Sequence, residues 1–135
     1  MTYPLSKIDG LGQHAAAKLK SIGIRTTEAL LEAAHSVKGR KDLAARTGLG
    51  EKQLLDWANK ADYMRIRGIG TGKTELLRAA GVTTVRELAM RNPARLAQAM
   101  KDANGKRKLV DVLPSQRSVE QLIDRARKLP PKITY

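Results

Sequence analysis

Apolar residues recur along this chain at spacings of three and four, not in alternation, and this predicts helices throughout. Ala15, Leu19 and Ile22 keep one face apolar, and Gly23 then offers a natural helix stop. Thr26 and Thr84 read as N-caps, and Glu87 three residues after Thr84 predicts a capping box. Leu30, Leu31 and Ala34 form the next stripe, matched later by Leu88. Leu43, Ala44 and Thr47-Gly48 mark a short helix and its end, and Asn92-Pro93 starts another. Leu54, Leu55, Ala58 and Ala61 form a further stripe, with Val119, Leu122, Ile123 and Ala126 as its counterpart. Pro114-Ser115 opens that last helix and Pro130-Pro131 closes it. No alternating run is long enough for a strand, and the short apolar segment Leu109–Leu113 reads as a loop packed on the core.

These stripes repeat. Ile8-Asp9-Gly10-Leu11-Gly12 recurs as Ile66-Arg67-Gly68-Ile69-Gly70, an offset of 58 that also takes Gly23 to Gly81 and Thr26 to Thr84. Further on, Gln53-Leu54-Leu55-Asp56 recurs as Gln121-Leu122-Ile123-Asp124, an offset of 68. The second copy is then ten residues longer, and the excess falls near 101–114. The expected fold class is all-α: two fused repeats, 1–65 and 66–135, packed around one shared core as a compact helical domain.

Composition narrows the function. The 135 residues carry 26 Lys+Arg against 13 Asp+Glu, a net charge of +13, and 41% are hydrophobic, enough for a real core. The charge is uneven: residues 1–65 hold 11 basic and 7 acidic residues, residues 66–135 hold 15 and 6. Such an excess implies a polyanionic partner, nucleic acid before a membrane surface. Trp57, Tyr3, Tyr63 and Tyr135 are the only aromatics, too few for base-stacking platforms or membrane anchors. Cysteine is absent and only His14 and His35 are present, so no metal or cofactor is expected. The opening Met1-Thr2-Tyr3-Pro4-Leu5-Ser6 has no long apolar run and no stretch predicts a membrane span, which points to the cytoplasm.

Both copies begin with a Gly-x-Gly turn leading into a helix, and Gly48-Leu49-Gly50 is a weaker third instance. Two glycines let the backbone turn tightly and approach a partner closely. The residue between them, Leu11, Ile69 or Leu49, is expected to plug into the core. The helix that follows presents unpaired amides at its positive end, which suits a phosphate. The Ile-x-Gly-Ile-Gly opening, the later Gly-Ile-x-Thr and the Leu-rich helices resemble the helix-hairpin-helix motif of DNA repair, recombination and replication proteins. The stretch Asp62–Gly70 and the closing Leu129–Tyr135 resemble an uncharacterised bacterial family of tandem domains of that type. The resemblance implies contact with the DNA backbone by Gly10, Leu11, Gly12 and Gln13 in copy one. In copy two it implies Arg67, Gly68, Ile69, Gly70, Thr71 and Gly72, with Lys73 close by. Asp9 stands where Arg67 stands and Ala15 where Lys73 stands, so copy two is expected to be the main contact. Nucleoid association in a bacterial cytoplasm follows from the same resemblance.

Arg67–Thr74 imitates a P-loop, but the required first glycine is Arg67 and no strand precedes it. Lys106, Arg107 and Lys108 form the best basic cluster, in the insertion, with Asp102 as acidic neighbour. Trp57 reads either as core beside Leu54 and Ala61 or as a half-exposed partner contact. The carboxylates are scattered and assemble no acid–base pair, so no enzyme is expected. The expected function is non-catalytic, largely sequence-independent binding of duplex DNA. The alternatives are a protein-interaction or scaffolding module facing an acidic protein partner, and an accessory subunit that recruits an enzyme to DNA.

Overall fold

The computed structural model describes residues 2–135, apart from the side chain of Thr71. Among these the chain is all-helical, with eight α-helices and no strand beyond an isolated bridge between Pro4 and Thr26. Backbone contacts divide it into two compact units: Met1–Arg65 with Lys132–Tyr135, and Ile66–Pro131. The first unit has an apolar cluster made of its own residues.

Unit 1 opens with a 3-10 turn, Leu5–Lys7, followed by α1 (Gly12–Ser21), α2 (Thr27–Ala34), α3 (Val37–Thr47) and α4 (Glu51–Tyr63). Gly23, at φ 89°, ends the first helix in a Schellman pattern: Ile24 N–H donates to Leu19 O and Gly23 N–H to Lys20 O, both at 3.0 Å. Thr26 caps α2 and Ser36 caps α3, their hydroxyls accepting from Ala29 and Gly39 N–H. Helix α4 packs on α2 and α3, and Leu30, Leu54 and Ala58, with Leu19 of α1, are fully buried. Truncating one of these leucines to Ala removes about 2–5 kcal/mol of stability. The last four residues join this unit although the sequence division assigns them to the second. Arg40 donates to Ala34 O and Thr134 O, Thr134 N–H donates to His35 O, and the Tyr135 hydroxyl donates to Asn59. Lys132 pairs with Glu32, and Ile133 packs on the apolar cluster.

Unit 2 repeats the order with α5 (Gly70–Ala79), α6 (Val85–Ala89), α7 (Pro93–Lys106) and α8 (Gln116–Lys128). Gly81, at φ 93°, ends α5 in the same pattern, with Val82 N–H on Leu77 O and Gly81 N–H on Arg78 O. Thr84 accepts from Glu87 N–H, while the Glu87 carboxylate accepts from the hydroxyls of Thr83 and Thr84. Asn92 caps α7 with Pro93 in its first turn, and Ser115 caps α8. Helix α8 packs on α6 and α7, burying Val119, Leu122, Ile123 and Ala126.

The element starts redraw the internal match. Thr26 to Thr84 is an offset of 58, Ser36 to Asn92 one of 56, and Glu51 to Gln116 one of 65. The second unit therefore loses two residues around α6 and gains nine in α7 and the loop after it. Its net excess is seven, not ten. At an offset of 65 the buried positions coincide: Leu54 with Val119, Trp57 with Leu122, Ala58 with Ile123, Ala61 with Ala126. Matching Gln53-Leu54-Leu55-Asp56 to Gln121-Leu122-Ile123-Asp124 slips by three residues, close to one helical turn, so the apolar stripe hides the error. Trp57 is core, 5% exposed. The segment 109–113 is only partly packed. Asn104 Oδ1 accepts from Leu109 and Val110 N–H and its Nδ2 donates to Val110 O, which leaves Val112 projecting, 83% exposed.

Candidate nucleic-acid interface

The two Gly-x-Gly turns share one backbone geometry. Gly10 (φ 81°) and Gly12 (φ 78°) flank Leu11, and Gly68 (φ 86°) and Gly70 (φ 64°) flank Ile69. A left-handed φ disfavours any residue with a Cβ by about 1–2 kcal/mol, which accounts for the four glycines. The Leu11 and Ile69 side chains are buried, and their N–H groups close the turns onto Ile8 O and Ile66 O, both at 3.3 Å. Their side chains are thus anchors, whereas Gly10, Gly12, Gly68, Gly70 and Gly72 are exposed. Gln13 is exposed on the first turn of α1. The first-turn amides of α1 and α5 lie at the positive helix end, where carbonyl partners within the helix do not exist.

Cations gather at the second turn. Lys73 Nζ donates to Gly68 O at 2.9 Å, and Arg125 Nη1, from α8, donates to Arg67 O at 2.6 Å. Arg67 itself is exposed. A Cβ on Gly72 would stand 3.3 Å from Val110 Cγ1, so the loop that follows Lys106, Arg107 and Lys108 lies against this turn. All three basic residues are exposed; Lys108 pairs with Asp111 at 3.5 Å, an acidic neighbour that the sequence reading omitted. The Thr71 side chain lies outside the described residues.

A family described as Domain of unknown function (DUF4332) matches residues 9–129. The chain belongs to that family. The match runs from Asp9 in the first turn to Leu129 after α8, so the DUF4332 region takes in both turns. No curated protein and no solved structure matches the chain.

The first turn of this DUF4332 chain has a different cation. Lys60 Nζ, from α4, donates to Asp9 O at 2.7 Å and pairs with Asp56 at 3.6 Å, and Lys60 is only 8% exposed. Lys60 and Arg125 are thus equivalents, 65 apart, and sequence reasoning missed both roles. The offset of 68 sets Arg125 against Trp57; aligning the helix starts pairs the two cations.

Gly48-Leu49-Gly50 is not a third copy of the turn. Gly48 is left-handed (φ 75°) and ends α3, but Gly50 is extended (φ −70°, ψ 142°), and the Gln53 side chain folds back to accept from its N–H. The P-loop imitation follows helix α4 instead of a strand, with Thr74 Oγ1 bonded to Gly70 O. Among the described residues no three His, Asp or Glu side chains group to hold a metal ion, and no helix is long and apolar enough to cross a membrane. Asp62, at the end of α4, is 6% exposed, and burial raises its carboxyl above the ordinary 3.8 against the pull of Arg65 and Lys132.

Proposed function

We propose that this DUF4332 protein binds duplex DNA without catalysis and without reading sequence, through a helix-hairpin-helix-like turn in unit 2. One observation carries the reading: a turn exposed at Arg67, Gly68, Gly70 and Gly72 opens a helix, and cations from two separate helices, Lys73 and Arg125, are hydrogen-bonded to its carbonyls. Backbone amides there favour an anion, and the bonded cations keep their remaining N–H groups for phosphate oxygens. Lys106, Arg107 and Lys108 extend the positive surface through the loop that touches Gly72. Nothing in this arrangement presents spaced side chains to base edges, so affinity comes from phosphates and specificity is weak. The first turn serves unit 1 itself, with Asp9 exposed and Lys60 buried.

Fluorescence anisotropy with a random-sequence duplex over a range of salt tests this. Binding should weaken on a log–log slope of about −3 for roughly three neutralised phosphates. Lys73→Ala or Arg125→Ala should each reduce that slope by about one. Absence of binding at low salt sinks the reading, as does a slope that neither variant changes.

A further inference from the structure

Unit 2 carries two apolar side chains that its core does not absorb, Met90 at 75% and Val112 at 83% exposed. Met90 stands on the rim of a groove of about 300 Å³ lined by Leu96 and Ala99, with Arg91, Asn92 and Arg95 beside it. Arg91 is engaged with Glu87 at 3.7 Å and Gly81 O at 3.2 Å, whereas Arg95 is exposed beside the groove. Val112 sits in the loop 107–115 next to Asp111, whose side chain is 94% exposed and held by a surface pair with Lys108. Such exposed pairs exchange readily. The loop base is fixed by Asn104 and seated on Gly72, so its tip projects from an anchored base.

We propose that the Asp111–Val112 tip of one copy seats in the Met90–Arg95 groove of another. Val112 would lie against Met90, Leu96 and Ala99, with Asp111 turned to Arg95. A groove apolar at its floor and cationic at its rim complements a projection apolar at its point and anionic beside it. One copy cannot satisfy itself, because the groove lies at the N-terminal end of α7 and the loop follows its C-terminal end, about 20 Å away at 1.5 Å per residue. The two surfaces differ, so the contact is heterologous and adds copies head to tail. A single loop tip falls well short of the roughly 1,200 Å² of a stable interface, and the shared net charge of +13 opposes approach. Association is therefore weak in solution and independent of the DNA reading.

Sedimentation equilibrium of the full chain, without DNA and at moderate salt, from micromolar to millimolar concentration, tests the contact. The average mass of the wild type should rise with concentration. Asp111→Arg and Arg95→Glu, each checked for folding by circular dichroism, should associate at least tenfold more weakly. Mixing these two variants should restore growth, since each then finds its complement in the other. Arg95→Glu also lowers the net charge, so general charge repulsion predicts a gain where this contact predicts a loss. A wild type that stays monomeric to a millimolar overturns the proposal and leaves the groove to an acidic segment of another protein. An Arg95→Glu variant that associates as well as the wild type, or a mixture that stays monomeric, overturns it equally.

Discussion

In both units a cation on the last helix donates to the carbonyl just before the first turn glycine. Lys60 does so in unit 1 from a buried position, with Asp56 as its second partner. Arg125 does so in unit 2 from a half-exposed one, among Arg67 and Lys73. A shared backbone turn therefore does not imply a shared role. In unit 1 the charge is absorbed by the fold, and in unit 2 it remains at the surface. The shared turn supplies the geometry, and the surroundings decide what the geometry does.

The sharpest break between the units is at the third position of their third helices. Gly39 N–H donates to the Ser36 cap and Arg95 N–H donates to the Asn92 cap, so the positions correspond. A Cβ at Gly39 would stand 2.3 Å from the Ala33 carbonyl oxygen, which is backbone and cannot swing aside. Gly39→Ala should destabilise unit 1 toward the upper end of about 1–3 kcal/mol. Arg95→Ala, on the surface, should stay within about 0.5 kcal/mol. Urea unfolding reads both, and the fluorescence of Trp57, the sole tryptophan, reports from the core of unit 1. Equal losses would end the claim that this corner is tight in one unit and open in the other.

Next in size is the pair of cations. Lys60→Ala removes the buried bond to Asp9 O and the pair with Asp56, and should lower stability by about 1–3 kcal/mol with duplex affinity unchanged. Arg125→Ala should do the reverse, leaving unit 1 stability alone and weakening duplex binding severalfold. If Lys60→Ala reduces binding as much as Arg125→Ala does, the first turn is a contact too and the division of roles is wrong.

The turn glycines sharpen the same contrast at smaller scale. Gly10→Ala and Gly68→Ala should each lose about 1–2 kcal/mol to the left-handed backbone. At Gly10 the new Cβ would lie 3.5 Å from Lys60 Nζ, an ordinary contact. At Gly68 it would lie 2.8 Å from Arg125 Nη1, so the guanidinium must leave Arg67 O. Only Gly68→Ala should therefore also weaken duplex binding, by anisotropy.

Much of this was legible in residue types. The caps Thr26, Thr84, Asn92 and Ser115 and the stops at Gly23 and Gly48 were readable because each depends on chemistry local to three or four residues. What escaped depends on distance along the chain. Helical periodicity tolerates a slip of three or four positions, so an offset of 68 puts the last helices one turn out and sets Arg125 against Trp57. Lys60 and Arg125 act across 51 and 58 residues, and no local pattern marks that. The same holds for Thr134, whose carbonyl and amide groups find partners 94 and 99 residues away.

The smallest effect lies in acid. It belongs to unit 1, where Lys132 holds the Glu32 carboxyl below its ordinary 4.5 while burial lifts Asp62 above its ordinary 3.8. The two have opposite signs. A lowered pKa gives Glu32 a stabilising share that is complete above 4.5 and fades as the pH falls through its folded value. A raised pKa gives Asp62 a share that is complete below 3.8 and fades as the pH rises through its folded value. Urea midpoints followed by Trp57 between about pH 3 and 6 should separate them. Asp62→Asn should gain on the wild type as the pH rises through that range, because the buried charge no longer forms. Glu32→Gln should fall behind the wild type over the same range, because the pair with Lys132 is missing. If both variants follow the wild type in parallel, neither carboxylate is coupled to the closure of Lys132–Tyr135 onto unit 1. The tail would then be held by its hydrogen bonds with Arg40, the His35 carbonyl and Asn59.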